Sequence, residues 1–176
     1  TLRIVEARDF GSDLLLKEVQ ARVLAVLRMA EALSPKYHVV VANPPYMAAP
    51  GMNSRLKAWL AQSFPRSKSD AMTAFMERAS TLLIQRGVWA LINLPAWLFN
   101  ISNAELREWI VSECSIDSMV YFGRGVFGSD FGSVAFVVSK QAPFSAKKTV
   151  FRKLFKNHVD VRSNEEIETL FLDRSF

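Results

Sequence analysis

His38-Val39-Val40-Val41-Ala42-Asn43-Pro44-Pro45-Tyr46 decides how this chain is read. His38–Ala42 is a continuous valine-rich run without polar alternation, the pattern of a strand buried on both faces of a parallel sheet. Asn43-Pro44-Pro45-Tyr46 ends it. Proline lacks the ladder N–H and fixes φ, so two in succession force the chain out of the sheet. In open α/β sheets ligands gather beyond the carboxyl ends of the strands, and this tetrapeptide falls there.

The residue types suit one chemistry. An exocyclic amine on a base is a weak nucleophile because its lone pair is delocalised into the ring. Two acceptors aimed at its hydrogens favour a tetrahedral nitrogen with an available lone pair. The Asn43 side-chain carbonyl supplies one acceptor and the Pro44 backbone carbonyl the other, with Pro45 stiffening the backbone. Tyr46 offers an aromatic face for a flipped base. Asn43, Pro44, Pro45 and Tyr46 are therefore the candidate catalytic residues. The same residues also suit a strand-ending turn carrying a buried tyrosine.

Upstream, Leu15, Val19, Val23, Val26, Leu27 and Ala30 recur near a 3.6 period, predicting a helix over 12–33 capped by Ser12 or Asp13 and stopped by Pro35. Downstream, residues 47–69 read as loop or partial helix. This stretch holds Arg55, Lys57, Arg66 and Lys68 and no acid, so it suits phosphate contacts or, equally, a solvated surface. Ser69 or Asp70 caps a helix to about Gln85, with Gly87 as its stop. Val88–Leu94 is a second strand closed by Pro95. Ser102 or Asn103 caps a helix to Cys114, and Ile116–Phe122 and Ser133–Ser139 are the third and fourth strands. The order is helix, strand, helix, strand, helix, strand, strand, which argues for an α/β sheet with helices on its faces. The short link between the last two strands predicts antiparallel neighbours at one end of the sheet. Residues 142–148 read as a linker, Val150–Phe155 as a strand and Glu165–Leu172 as a helix, the start of a further unit.

Gly123-Arg124-Gly125-Val126-Phe127-Gly128 matches a dinucleotide fingerprint literally, but a strand pattern follows it where such a fingerprint needs a helix. Trp59, Trp89 and Trp109 read as core; Trp97, at a strand's carboxyl end, is kept as a pocket candidate. His38 and His158 lack partners at ligand spacing, and no metal is expected.

Half of the 176 residues are hydrophobic, which suits one folded domain, and a net charge of +5 is compatible with a nucleic-acid partner without requiring one. The single cysteine, Cys114, excludes an internal disulfide framework and suits a reducing cytoplasm. No apolar run approaches the roughly 18 residues of a membrane helix. Thr1-Leu2-Arg3 carries neither initiator methionine nor signal peptide, so the chain reads as an excised or truncated piece.

Asn43-Pro44-Pro45-Tyr46 resembles the catalytic motif of amino-group methyltransferases. Asp70-Ala71-Met72-Thr73-Ala74-Phe75-Met76-Glu77-Arg78-Ala79 is similar to the helix that follows it in DNA adenine methylases. Leu94-Pro95-Ala96-Trp97-Leu98 is similar to the ending of the next strand. Val126-Phe127 with Ser133–Val138 resembles the later motif whose aromatic lies on the far side of the flipped base. The likeness covers about 36–140 and is strongest to the large methylases of bacteriophage-exclusion systems and related restriction enzymes. It implies the later part of a Rossmann-like class I methyltransferase sheet, with the first three strands absent. It further implies a catalytic portion over 1–140 and a target-recognition portion beginning within 141–176.

The resemblance also implies roles. S-adenosylmethionine is the cofactor, with Asn43 lining its methyl end and the rest of its seat upstream. Double-stranded DNA with a flipped adenine is the partner, alongside other defence-system subunits. Tyr46 stacks on one face of the base and Phe127 on the other, although a core phenylalanine at a strand end fits position 127 equally well. Methylation of cytosine in DNA, of glutamine in a release factor or of guanine in ribosomal RNA uses a similar turn, and a non-catalytic scaffold is the reading from another class.

Overall fold

The computed structural model describes residues 1–128, 130–144, 148–157 and 160–173. The chain forms two compact units, Thr1–Lys36 and Tyr37–Phe176.

The first unit is a pair of helices, α1 (Leu2–Glu6) and α2 (Leu14–Leu33). The Asp13 carboxylate caps α2 by accepting the Leu16 N–H at 3.0 Å. The Gln20 amide ties the unit together by donating to the Val5 and Arg8 carbonyls. No residue of α2 is buried.

The second unit carries a five-stranded sheet ordered β1-β2-β4-β3-β5. Its strands are β1 (Tyr37–Ala42), β2 (Leu83–Asn93), β3 (Ser115–Arg124), β4 (Gly132–Ser139) and β5 (Val150–Lys153). β1 pairs with β2, and β3 with β5, in parallel, while β4 runs antiparallel between β2 and β3. Four strands therefore leave the sheet at one edge, the edge that carries Asn43.

The expected antiparallel pairing of the third and fourth strands is present, but that pair is not the end of the sheet. β4 inserts between β2 and β3, and β5 satisfies the remaining edge of β3. Residues 141–176 thus contribute a strand to this sheet, followed by α7 (Asn164–Leu172), whose capping box joins Ser163 and Glu166.

Helices α4 (Ala71–Leu82), α5 (Ala96–Phe99) and α6 (Ala104–Glu113) cover one face. Met72, Met76 and Ala79, at helical spacing on α4, meet Trp89, Leu91, Phe136 and Val138 from the strands, with Trp97, Leu106 and Ile110 completing the core. α3 (Ser54–Ser63), capped by Asn53, fills the middle of the stretch read as loop or partial helix.

Two local expectations differ. The helix meant to reach Gln85 ends at Leu82, and β2 starts at once, so Gly87 lies inside a strand and stops no helix. It is needed for close approach: a Cβ there would lie 3.1 Å from the His38 and Ile84 carbonyl oxygens. β1 is an edge strand, not one buried on both faces: Val40 and Ala42 pack on the helix-covered core, whereas Val39 and Val41 point to the opposite face and are exposed.

Candidate active site

The Asn43–Tyr46 turn leaves β1 directly after Ala42, which pairs with Leu91 of β2. Pro44 is buried, whereas Asn43, Pro45 and Tyr46 are exposed. The Tyr46 hydroxyl faces two acceptors, the Asn43 Oδ1 at 3.0 Å and the Ile92 carbonyl at 3.1 Å. Its single hydrogen serves one of them at a time, orienting the Asn43 side-chain carbonyl or anchoring the ring to the exit of the neighbouring strand. Burial lifts the Tyr46 phenol above its ordinary range, still further from ionisation at neutral pH, where the group is a donor. An amide oxygen has two lone pairs, so Asn43 Oδ1 can accept from Tyr46 and from a second donor together.

Asp70 fixes the far side of this turn. Its Oδ1 caps α4 by accepting the Met72 N–H at 2.9 Å and also accepts the Met47 N–H at 3.1 Å, one residue beyond Tyr46. The Ala71 N–H returns a bond to the Met47 carbonyl at 2.9 Å, and Ala48 bridges Asp70. Sequence reasoning identified the cap alone. The second bond spans 23 residues and leaves no local signal.

Phe127 lies in a short 3-10 turn after β3 and is 65% exposed, so it is not a core phenylalanine. Its φ of 58° is a left-handed conformation that bulky residues rarely adopt. Gly125, two residues earlier, has φ 112°, and a Cβ there would clash with the Arg162 carbonyl oxygen. The segment after β5 therefore packs on this turn, with the Arg162 N–H donating to the Arg124 carbonyl. β4 follows the glycines, and no helix does, so the turn lacks the dinucleotide geometry. The exits of β1 and β3 stand three strand spacings apart, roughly 14 Å. Phe127 faces Tyr46 across one base only if its loop reaches back over β4 and β2.

Trp97 belongs to the core. It is 2% exposed, with its ring 5.0 Å from Phe136, and so it walls no open pocket. The strand-end signal located it correctly, but α5 turns its indole inward. Of the basic residues, Arg55, Lys57 and Lys68 are exposed, whereas the Arg66 guanidinium lies 5.7 Å from the centre of the Trp109 ring. His158 falls outside the described residues.

Asn43 also borders a hollow of about 430 Å³ on the sheet face opposite α4 and α6, with Val41, Ala90, Ile92, Ala135 and Val137 along it. None of its described lining residues is charged. No helix among the described residues is long and apolar enough to cross a membrane.

Residues 12–127 match the model of the Eco57I restriction-modification methylase family. The chain belongs to this family. It is 34% identical over 156 residues to the adenine-specific methyltransferase BrxX of Escherichia coli O9:H4 (strain HS), covering 86% of this chain and 13% of that protein. It is 33% identical over 180 residues to the adenine-specific methyltransferase PglX of Lacticaseibacillus casei (strain Zhang), covering 97% and 14%. The chain thus spans about one-seventh of the length of these relatives. The ATP-dependent type ISP restriction-modification enzyme LlaBIII, solved bound to DNA, superposes with a TM-score of 0.63 at 16% identity, over 82% of this chain and 12% of that one. The fold is part of a Rossmann-like class I methyltransferase sheet.

Proposed function

We propose that the full-length protein methylates the exocyclic amine of adenine in DNA, within a restriction-modification or phage-defence system. The observation that carries this reading is the Tyr46 hydroxyl holding Asn43 Oδ1 at the carboxyl end of β1, in a chain of the Eco57I family. Asn43 Oδ1 accepts one hydrogen of the amine through its second lone pair, and the Pro44 carbonyl accepts the other. Together they favour the tetrahedral nitrogen that can attack. The exposed Tyr46 ring stacks on one face of the flipped adenine, and Phe127 closes on the other. Arg55, Lys57 and Lys68 contact phosphates and position the duplex without reading its sequence. Arg66 has the same assignment, with its ring contact holding the guanidinium in place.

S-adenosylmethionine, when bound, supplies the activated methyl group. The residues present fit only its methyl-bearing end, beside Asn43. The uncharged hollow next to Asn43 offers no ionic partner for the cofactor's carboxylate and ammonium. Residues 1–176 alone are accordingly assigned no transfer activity. Residues 1–140 belong to the later part of the catalytic domain, and 141–176, which add β5 to the same sheet, continue it towards target recognition. The buried, single Cys114 suits a reducing cytoplasm.

The test is transfer of labelled methyl from S-adenosylmethionine to unmethylated DNA by the full-length protein, with the modified base identified by mass. Methyladenine is expected. Asn43→Ala should lower transfer by roughly 100-fold or more, the scale for removing an aimed polar group from a reacting centre, and leave DNA affinity intact. Methylcytosine, or label on a release factor or ribosomal RNA instead of DNA, overturns the substrate. Normal turnover by Asn43→Ala overturns the site.

A further inference from the structure

A second cavity, of about 750 Å³, opens at the same edge of the sheet, between Leu94–Phe99 and the Arg124–Gly132 turn. That volume lies within the range of small-molecule sites, about 300–1,000 Å³. Its floor is the apolar run Leu94-Pro95-Ala96, which begins two residues after Ile92, the carbonyl that holds Tyr46. Phe99 and Phe131 stand in its walls 70% and 68% exposed. Arg124 and Lys153 are the lining cations. Arg124 is engaged by Asp130, its Nε donating to the Asp130 carbonyl at 2.6 Å and its guanidinium 3.8 Å from the carboxylate. Lys153 lies over the Phe155 ring at 4.7 Å and makes no ion pair among the described residues.

We propose that this cavity seats one nucleotide of the DNA strand next to the methylated adenine, its base on Phe131 and its phosphate at Lys153. The proposal rests on the DNA reading above. Exposed aromatic side chains beside a cation are what a base and its phosphate require together, and stacking on an aromatic ring accepts any base. The cavity steadies the strand beside the reacting base and reads no sequence. It is distinct from the Asn43–Tyr46 turn, none of whose residues lines it.

The experiment uses the full-length protein and duplexes with one abasic site at each position flanking the target adenine. With wild type, one flanking abasic site should weaken DNA binding about ten-fold, as expected for one stacked base. In Phe131→Ala that penalty should vanish, with KM for S-adenosylmethionine unchanged. Lys153→Ala should weaken all duplexes alike and reduce the salt dependence of binding by about one ion. Both side chains are exposed, so neither change threatens folding. Equal penalties in wild type and Phe131→Ala at every position overturn the cavity assignment alone. A wild-type protein that methylates no DNA overturns the DNA reading, and this proposal with it.

Discussion

Replacing Asp70 with serine separates two tasks that one carboxylate oxygen performs. Serine keeps an N-cap acceptor for the start of α4, but its shorter side chain withdraws from the Met47 N–H, now 3.1 Å away. Met47 is 39% exposed, so water replaces much of the lost bond, and stability should fall by only about 1 kcal/mol. The catalytic cost is larger. Met47 follows Tyr46 directly, and its release frees the turn that aims Asn43. A displacement near 1 Å at a reacting centre costs on the order of 100-fold in rate. Asp70→Asn keeps an oxygen at the same reach and should retain both stability and rate within a few-fold. Asp70→Ala should lose the cap as well, about 1 kcal/mol more. The assay is methyl transfer by the full-length protein under saturating cofactor and DNA, beside denaturant unfolding. If Asp70→Ser turns over like Asp70→Asn, the Met47 bond does not position the turn and the reasoning fails.

Three further outcomes follow from single residues. Gly125→Ala should destabilise on the order of 3 kcal/mol, because the new Cβ meets the Arg162 carbonyl in a left-handed backbone; an unchanged urea midpoint would refute that packing. Asn93 is fully buried with neither amide atom bonded to a described residue, so Asn93→Leu should stabilise by about 1–2 kcal/mol; a marked loss of stability would show that the amide is bonded after all. Burial, with the Glu113 carboxylate adding to it, raises the Cys114 thiol to about 11, against the opposing pull of Lys140. The folded state therefore keeps a proton that the unfolded chain releases near its ordinary value, so this stabilisation is complete below about pH 9 and fades as pH rises through 11. Thiolate absorbance of the native protein, with a Cys114→Ser blank, should show its inflection near 11, and an inflection at the ordinary thiol value would contradict it.

Features that depend on a few neighbouring residues were legible along the chain. The valine run and two prolines specified a strand and an abrupt exit. The pairs Ser12 or Asp13 and Ser69 or Asp70 marked helix starts to within a residue, because caps act within one turn; the structure chose the aspartates. The candidate turn was legible for the same reason, since its strand, acceptors and aromatic are contiguous. Other features emerge only when distant segments meet in the fold. β4 lies between β2 and β3, and β5 extends the sheet, because strand order is fixed by pairing between residues far apart in sequence. Trp97 points inward and Phe127 outward, although both follow strands, because burial depends on which helix or turn covers each position. Asp70 grips Met47 across 23 residues by the same principle: a carboxylate takes whichever donors the fold brings within 3 Å, and neighbours in the chain foretell only one of them.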